Sequence, residues 1–134
     1  MTLFYVFNKK LTMTKKTLVL GASLKPERYS NIAINMLREY NYEVVAFGLR
    51  KGMVCNVEII TDLKHQSIHN IHTVTLYLNA KRQASYYDFI LSLKPERVIF
   101  NPGTFNEEFI LLLKKNNISV EIACTLVLLR TEQF

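Results

Sequence analysis

Glycine and proline are scarce in this chain, at four and three residues in 134. No Pro/Gly/Ser-rich stretch marks a linker, and no internal repeat or low-complexity tract is present. A chain of this length buries one core well and two poorly, so a single domain is expected. Long apolar runs are missing too. Nothing approaches the roughly 20 residues that cross a bilayer, so no membrane partner is expected. Cysteine is limited to Cys55 and Cys124, far apart and without C-x-x-C spacing. That argues against a disulfide framework or a cysteine zinc site and suits a reducing cytoplasm. The net charge of +6 comes from 17 basic and 11 acidic residues, yet no run of five like charges occurs. The cations fall in pairs (Lys9-Lys10, Lys15-Lys16, Arg50-Lys51, Lys81-Arg82, Lys114-Lys115). Such pairs build no continuous phosphate-tracking stripe, and no aromatics are interleaved with them as a stacking platform, so nucleic acid is not an expected partner.

What remains is an alternation of strand and helix patterns, the sign of a parallel sheet covered on both faces. Strands are expected at 17–21, 43–47, 57–60, 73–78, 97–100 and 119–122. The segment 30–40 carries Ile32, Ala33, Met36, Leu37 and Tyr40 at helical spacing. Asn79 is placed to cap a helix running to Lys94-Pro95, and Thr104 to Glu107 has capping-box spacing for a helix with Phe109, Leu112 and Leu113 inward. Residues 123–134 read as a short helix packed over the sheet. The expected fold is α/β, a Rossmann-like, doubly wound parallel sheet in three layers, spanning residues 14–134 as one domain. Residues 1–13 hold only the apolar run Leu3 to Phe7, with neither the preceding positive charge nor the cleavage site of a signal peptide. They read as an N-terminal extension, a frayed tail or an added edge strand, with Met13 as an alternative start.

Right-handed crossovers bring the C-terminal ends of the parallel strands to one edge, where open α/β sheets bind ligands. Four loops are expected there, at 21–29, 48–52, 78–81 and 101–104. In the first, Gly21 lets the chain turn tightly and the following amides, up to Arg28 and Tyr29, lie at the mouth of a helix, where a phosphate is favoured. Ser23 and Arg28 add a hydroxyl and a charge. Two of the three glycines of a dinucleotide fingerprint are absent. In the second loop, Gly48-Leu49-Arg50-Lys51-Gly52 stands where an NAD-binding domain needs an acid for the ribose hydroxyls. Two cations in place of an acid suit a nucleotide with a phosphorylated ribose, either NADP or coenzyme A.

Taken in order, Gly21-Ala22-Ser23 with Pro26 and Arg28, the basic turn at 48–52, Tyr77-Leu78-Asn79, and Asn101-Pro102-Gly103-Thr104 resemble the small stand-alone CoA-binding proteins. These are similar in turn to the CoA-binding domain of the succinyl-CoA synthetase alpha subunit. The resemblance runs from about Lys16 to Phe134. It implies that Gly21, Ser23 and Arg28 meet the phosphates of coenzyme A, that Lys51 and Gly52 lie near the phosphorylated ribose, that Leu78 and Asn79 border the adenine, and that Asn101, Pro102 and Gly103 line the pantetheine path. Such a protein binds CoA or a short acyl-CoA. One departure is visible: the family commonly opens the second loop with Asn-Pro, and this chain has Gly48-Leu49.

No nucleophile and base can be paired from the pattern, so no catalysis is expected. The ligases that use this domain add an ATP-handling domain and a phosphate-carrying histidine, for which this chain has no room. His65, His69 and His72 have metal-ligand spacing if helical, but no carboxylate beside them completes a set, and a solvated face is the expectation. Cys124 follows the last strand and reads as a small buried residue facing the ligand edge. The alternatives are a small NADP-dependent oxidoreductase, which should show a second glycine in the first loop, and a CoA-sensing module that docks on a partner protein or a second copy.

Overall fold

The computed structural model describes residues 15–134; the readings of residues 1–13 lie outside them. The chain forms β1 (Thr17–Ala22), α1 (Tyr29–Glu39), β2 (Val44–Gly48), β3 (Gly52–Val54), β4 (Val57–Ile60) and β5 (Thr73–Leu76). It continues with α2 (Ala80–Gln83), a 3-10 turn (Ala84–Tyr86), α3 (Tyr87–Leu93), β6 (Arg97–Phe100), α4 (Glu107–Lys115), β7 (Ser119–Ile122) and α5 (Thr125–Arg130). The sheet order is β3-β4-β2-β1-β5-β6-β7, with every pairing parallel except β3 with β4. This is the expected α/β Rossmann-like architecture in a single small domain.

The central strands are buried on both faces because helices cover both, with Thr73 and Thr75 of β5 among the buried polar exceptions to a mainly apolar set. Leu18, Leu20, Val74, Leu76, Val98 and Phe100 pack on α3 and α4 through Ile90, Phe109 and Leu113, while Val19, Ala46 and Ile99 pack on α1 and α5 through Ile34, Leu37 and Leu129. Full burial of each such side chain contributes about 1.5–3 kcal/mol, so the central strands are the most strongly held part of the fold. In α1 the buried seam is Ser30, Asn31, Ala33, Ile34 and Leu37. Ile34 replaces Tyr40 of the expected stripe, and Tyr40 is exposed. In α4 the inward set is Phe109, Ile110 and Leu113, with Leu112 only half-buried.

Four local features depart from the sequence reading. The short strand β3 was not expected; it forms a hairpin with β4 across Cys55 and Asn56, which both take positive φ (48° and 62°), the conformation of a two-residue type I′ turn. The helix after Asn79 is broken in three, because its adjacent tyrosines are held by different partners. Tyr86 meets Phe47 edge-on with ring centroids 5.8 Å apart, and Tyr87 stacks on Phe109 at 4.3 Å. Thr104 does not cap α4. Its hydroxyl donates to the Asn101 carbonyl at 2.7 Å, and the cap is Asn106, whose side chain accepts from the Phe109 amide. Finally, strand β5 ends at Leu76, two residues before the expected Leu78.

At the opposite end of the sheet, Arg97 is buried, donates to Thr73 Oγ1 at 2.8 Å and to Glu121 at 3.2 Å, and lies 4.3 Å from the centre of the Phe134 ring. Phe134 also packs edge-on against Tyr42. The segment holding His65 and His69 is irregular. Each imidazole bonds locally, His65 with Ser67, His69 with the Gln66 carbonyl and His72 with Thr73. Among the described residues, no helix is long and apolar enough to cross a membrane.

Candidate functional site

The four expected loops meet at the C-terminal ends of β1, β2, β5 and β6 around a cleft of about 990 Å³. Its geometry begins with two close approaches of backbone. Gly21 has φ +98°, and a Cβ there would sit 3.0 Å from the carbonyl carbon of Tyr77, so only glycine lets β1 turn against β5. At the β1–β2 bulge, Ala22 pairs with Gly48, and a Cβ on residue 48 would run into the Ala22 carbonyl oxygen. The glycine that opens the second loop, Gly48, is therefore a packing requirement of this chain.

Beyond Gly21, the Ser23 hydroxyl accepts from the Lys25 amide (3.1 Å), and the Ser23 carbonyl accepts from the side chain of Asn31 (2.9 Å), which fastens the loop to α1. Arg28 occupies the N-cap of α1 in an extended conformation, and no side chain caps the helix. The Asn31 amide bonds the Arg28 carbonyl at 3.0 Å, the amides of Tyr29 and Ser30 have no partner among the described residues, and the eleven-residue helix starts at the cleft. Across the cleft, Asn79 caps α2 by accepting from the Arg82 amide at 3.0 Å. Gln83, fully buried, donates to the carbonyls of Leu78 (2.8 Å) and Thr104 (2.7 Å), and its oxygen accepts from Asn106. This one amide ties the third loop to the fourth.

Of the residues singled out in the sequence, Gly21, Ser23, Arg28, Tyr29, Arg50, Leu78, Asn79, Pro102 and Gly103 line the cleft. Lys51 and Gly52 do not; Lys51 is exposed and Gly52 opens β3 beneath the Leu24 side chain. Asn101 is also off the wall. Its amide donates to Thr75 Oγ1 (2.7 Å) and the Leu76 carbonyl (2.9 Å), and its oxygen accepts from the Thr125 amide (2.8 Å), so it acts as a buried joint under the fourth loop. Lys25 and Thr104 line the cleft from within the expected loops, and Ser30, Phe47, Tyr77, Arg82, Ser85 and Tyr86 line it from outside them. In the sequence, the pair Lys81-Arg82 stands out only as charge. Its helical register relative to Asn79 was the signal that could have placed Arg82.

The lining holds four cations, Lys25, Arg28, Arg50 and Arg82, and no Asp, Glu, His or Cys. None of the four forms an ion pair among the described residues. Tyr77 lines the cleft, while its hydroxyl is buried beside Thr75 and Thr125. Those two hydroxyls are bonded to each other at 2.8 Å, and the phenol is left without a partner. Burial, only partly offset by these neighbouring hydroxyls, pushes its pKa up to about 12. The phenol stays neutral across the physiological range.

Residues 15–130 match the model of the family described as CoA binding domain. Among solved structures, one described as an uncharacterized protein is 46% identical, with a TM-score of 0.85 over 90% of this chain and 98% of its own. A hypothetical protein from Pyrococcus horikoshii OT3 is 25% identical (TM-score 0.75, 92% of this chain and 87% of that one). The protein cell-free ID.343 from Thermus thermophilus, 22% identical, shares the fold with a TM-score of 0.77 over 97% of this chain and 98% of its own. No curated protein matches the chain.

Proposed function

Because the chain belongs to the CoA binding domain family, we propose that its cleft holds coenzyme A or a short acyl-CoA and leaves it chemically unchanged. The observation that carries this reading is a lining with four cations and no carboxylate, beside an uncapped helix start. A diphosphate is placed at Gly21, Ser23, Arg28 and Tyr29, where loop amides and a guanidinium converge. The 3′-phosphate is placed at the turn of Arg50, Lys51 and Gly52, and the adenine against Leu78 and Asn79. The pantetheine arm runs past Pro102 and Gly103, on the loop that Asn101 holds from beneath.

The absence of turnover is inferred from the chemistry of the wall. Among the described residues no imidazole, carboxylate or thiol lines the cleft, so a hydroxyl such as Ser23 has no neighbouring base. Tyr77 is neutral and its hydroxyl is buried. Cys124 is free and half-buried but off the lining.

Calorimetry with CoA tests the reading. Charge-assisted hydrogen bonds contribute about 1.5–3 kcal/mol each, so removal of the 3′-phosphate should weaken binding about tenfold or more. Equal affinity for dephospho-CoA would rule out the proposed ribose site. Incubation with short acyl-CoAs should leave the thioester intact to the level of a Cys124→Ala control, and turnover above that control would make the protein an enzyme.

A further inference from the structure

We infer that Arg82, carried on α2, is a second reader of the ribose phosphate and acts with Ser85 from the wall opposite Arg50. The inference rests on coenzyme A as the ligand, and the ordering of the chain in space supports it. Tyr86 packs edge-on against Phe47 at 5.8 Å, and Phe47 immediately precedes the Gly48 to Arg50 turn. That contact joins the Tyr86 end of the segment 80–86 to the C-terminal end of β2, while Gln83 holds its middle to the Thr104 carbonyl of the fourth loop. Arg82 and Ser85 lie three residues apart, close to one helical turn, and both line the cleft with Tyr86. They therefore share one cleft with Arg50, on a segment that touches the strand leading into the Arg50 turn.

Charge matching points the same way. Lys25 and Arg28 belong to the loop assigned to the diphosphate, whereas a phosphomonoester carries about −1.5 to −2 at neutral pH. Arg50 is the cation of the second loop that lines the cleft, with Lys51 exposed outside the lining, so part of that charge is unmatched on the wall. The Arg82 guanidinium makes no ion pair or hydrogen bond among the described residues; the bonds of this residue are made by its backbone, the amide to Asn79 and the carbonyl accepting from the Ser85 hydroxyl at 3.5 Å. It sits on an exposed position of a segment whose register is held by Gln83 and Asn79. An arginine so placed is positioned for a two-pronged grip on a phosphate.

The test compares CoA and dephospho-CoA by calorimetry on the wild type, Arg82→Ala, Arg82→Lys and Lys81→Ala. Lys81 is the charge control, an exposed neighbour on α2 outside the lining. Arg82→Ala should weaken CoA binding about tenfold while changing dephospho-CoA by less than about twofold. Arg82→Lys should restore part of the difference, and Lys81→Ala should keep the wild-type ratio. An equal loss for both ligands, no loss for either, or the same change from Lys81→Ala would overturn the assignment of Arg82. Failure of the wild type to bind CoA at all would instead overturn the proposed function and this assignment with it.

Discussion

The side-chain amide of Gln83 spans two loops of the cleft, with one N–H on the Leu78 carbonyl and one on that of Thr104, 2.8 and 2.7 Å away. Its oxygen accepts from Asn106, which also caps α4 and donates to the Tyr87 hydroxyl at 2.8 Å. Gln83→Leu keeps the volume and removes all three bonds, leaving two buried acceptors and one donor unmet. Each unmet group costs about 1–3 kcal/mol, with partial relief from water. The expected loss is on the order of 3 kcal/mol of unfolding free energy in urea, together with weaker CoA binding. A variant as stable as the wild type would show that the bonds contribute nothing net.

Gly48→Ala places a Cβ against the Ala22 carbonyl, a backbone atom that cannot swing aside. The β1–β2 bulge must open, at a cost of about 1–3 kcal/mol, and the first two loops move apart. Gly103→Ala is the contrast. No atom lies within 4 Å of its Cβ, and the only penalty is φ +87°, about 1–2 kcal/mol for a side chain. Thermal melts should show both variants destabilised, with the CoA affinity of Gly48→Ala falling further.

Arg28 is an exposed N-cap residue whose side chain bonds nothing among the described residues. Arg28→Ala should leave the unfolding free energy within about 0.5 kcal/mol of the wild type, as for a surface change, and weaken CoA binding. A large fall in stability with unchanged affinity would assign the arginine to the fold.

His72 has its pKa lowered from 6.5, chiefly by burial, then by the nearby cations Arg97 and Lys15, with Glu96 acting weakly in the other direction. The unfolded chain therefore takes up this proton before the folded one does. Stability from this source is present above about pH 6.5, declines as pH falls through that value, and levels off once the folded-state pKa is passed. Urea midpoints measured from pH 8 to 5 should fall for the wild type and fall less for His72→Gln. Parallel profiles would remove His72 as the cause.

The sheet and its ligand edge were legible because buried parallel strands are continuous apolar runs, as in Leu18 to Leu20 or Val98 to Phe100, and each ends on a turn residue. Nine of the twelve residues singled out lie on the cleft wall because they sit in those strand-to-helix loops. The rest depended on contacts between distant elements. β3 is three residues long, and its turn uses Cys55-Asn56 in place of the glycine that normally announces a type I′ pair. Asn101 looked like a wall residue because nothing local shows that Thr75, Leu76 and Thr125 converge on its amide. The helix breaks at Tyr86, whose ring meets Phe47 of a strand far earlier in the chain.

A wall without carboxylates answers to salt. Lys25, Arg28, Arg50 and Arg82 repel one another across one cleft, a burden carried by the folded chain and relaxed when it unfolds. Simple ions screen charges beyond about 8 Å at physiological ionic strength, so added salt firms the fold while loosening its hold on a polyanion. Stability and affinity respond to the same ions with opposite signs, and the protein is toughest where it is the poorest receptor.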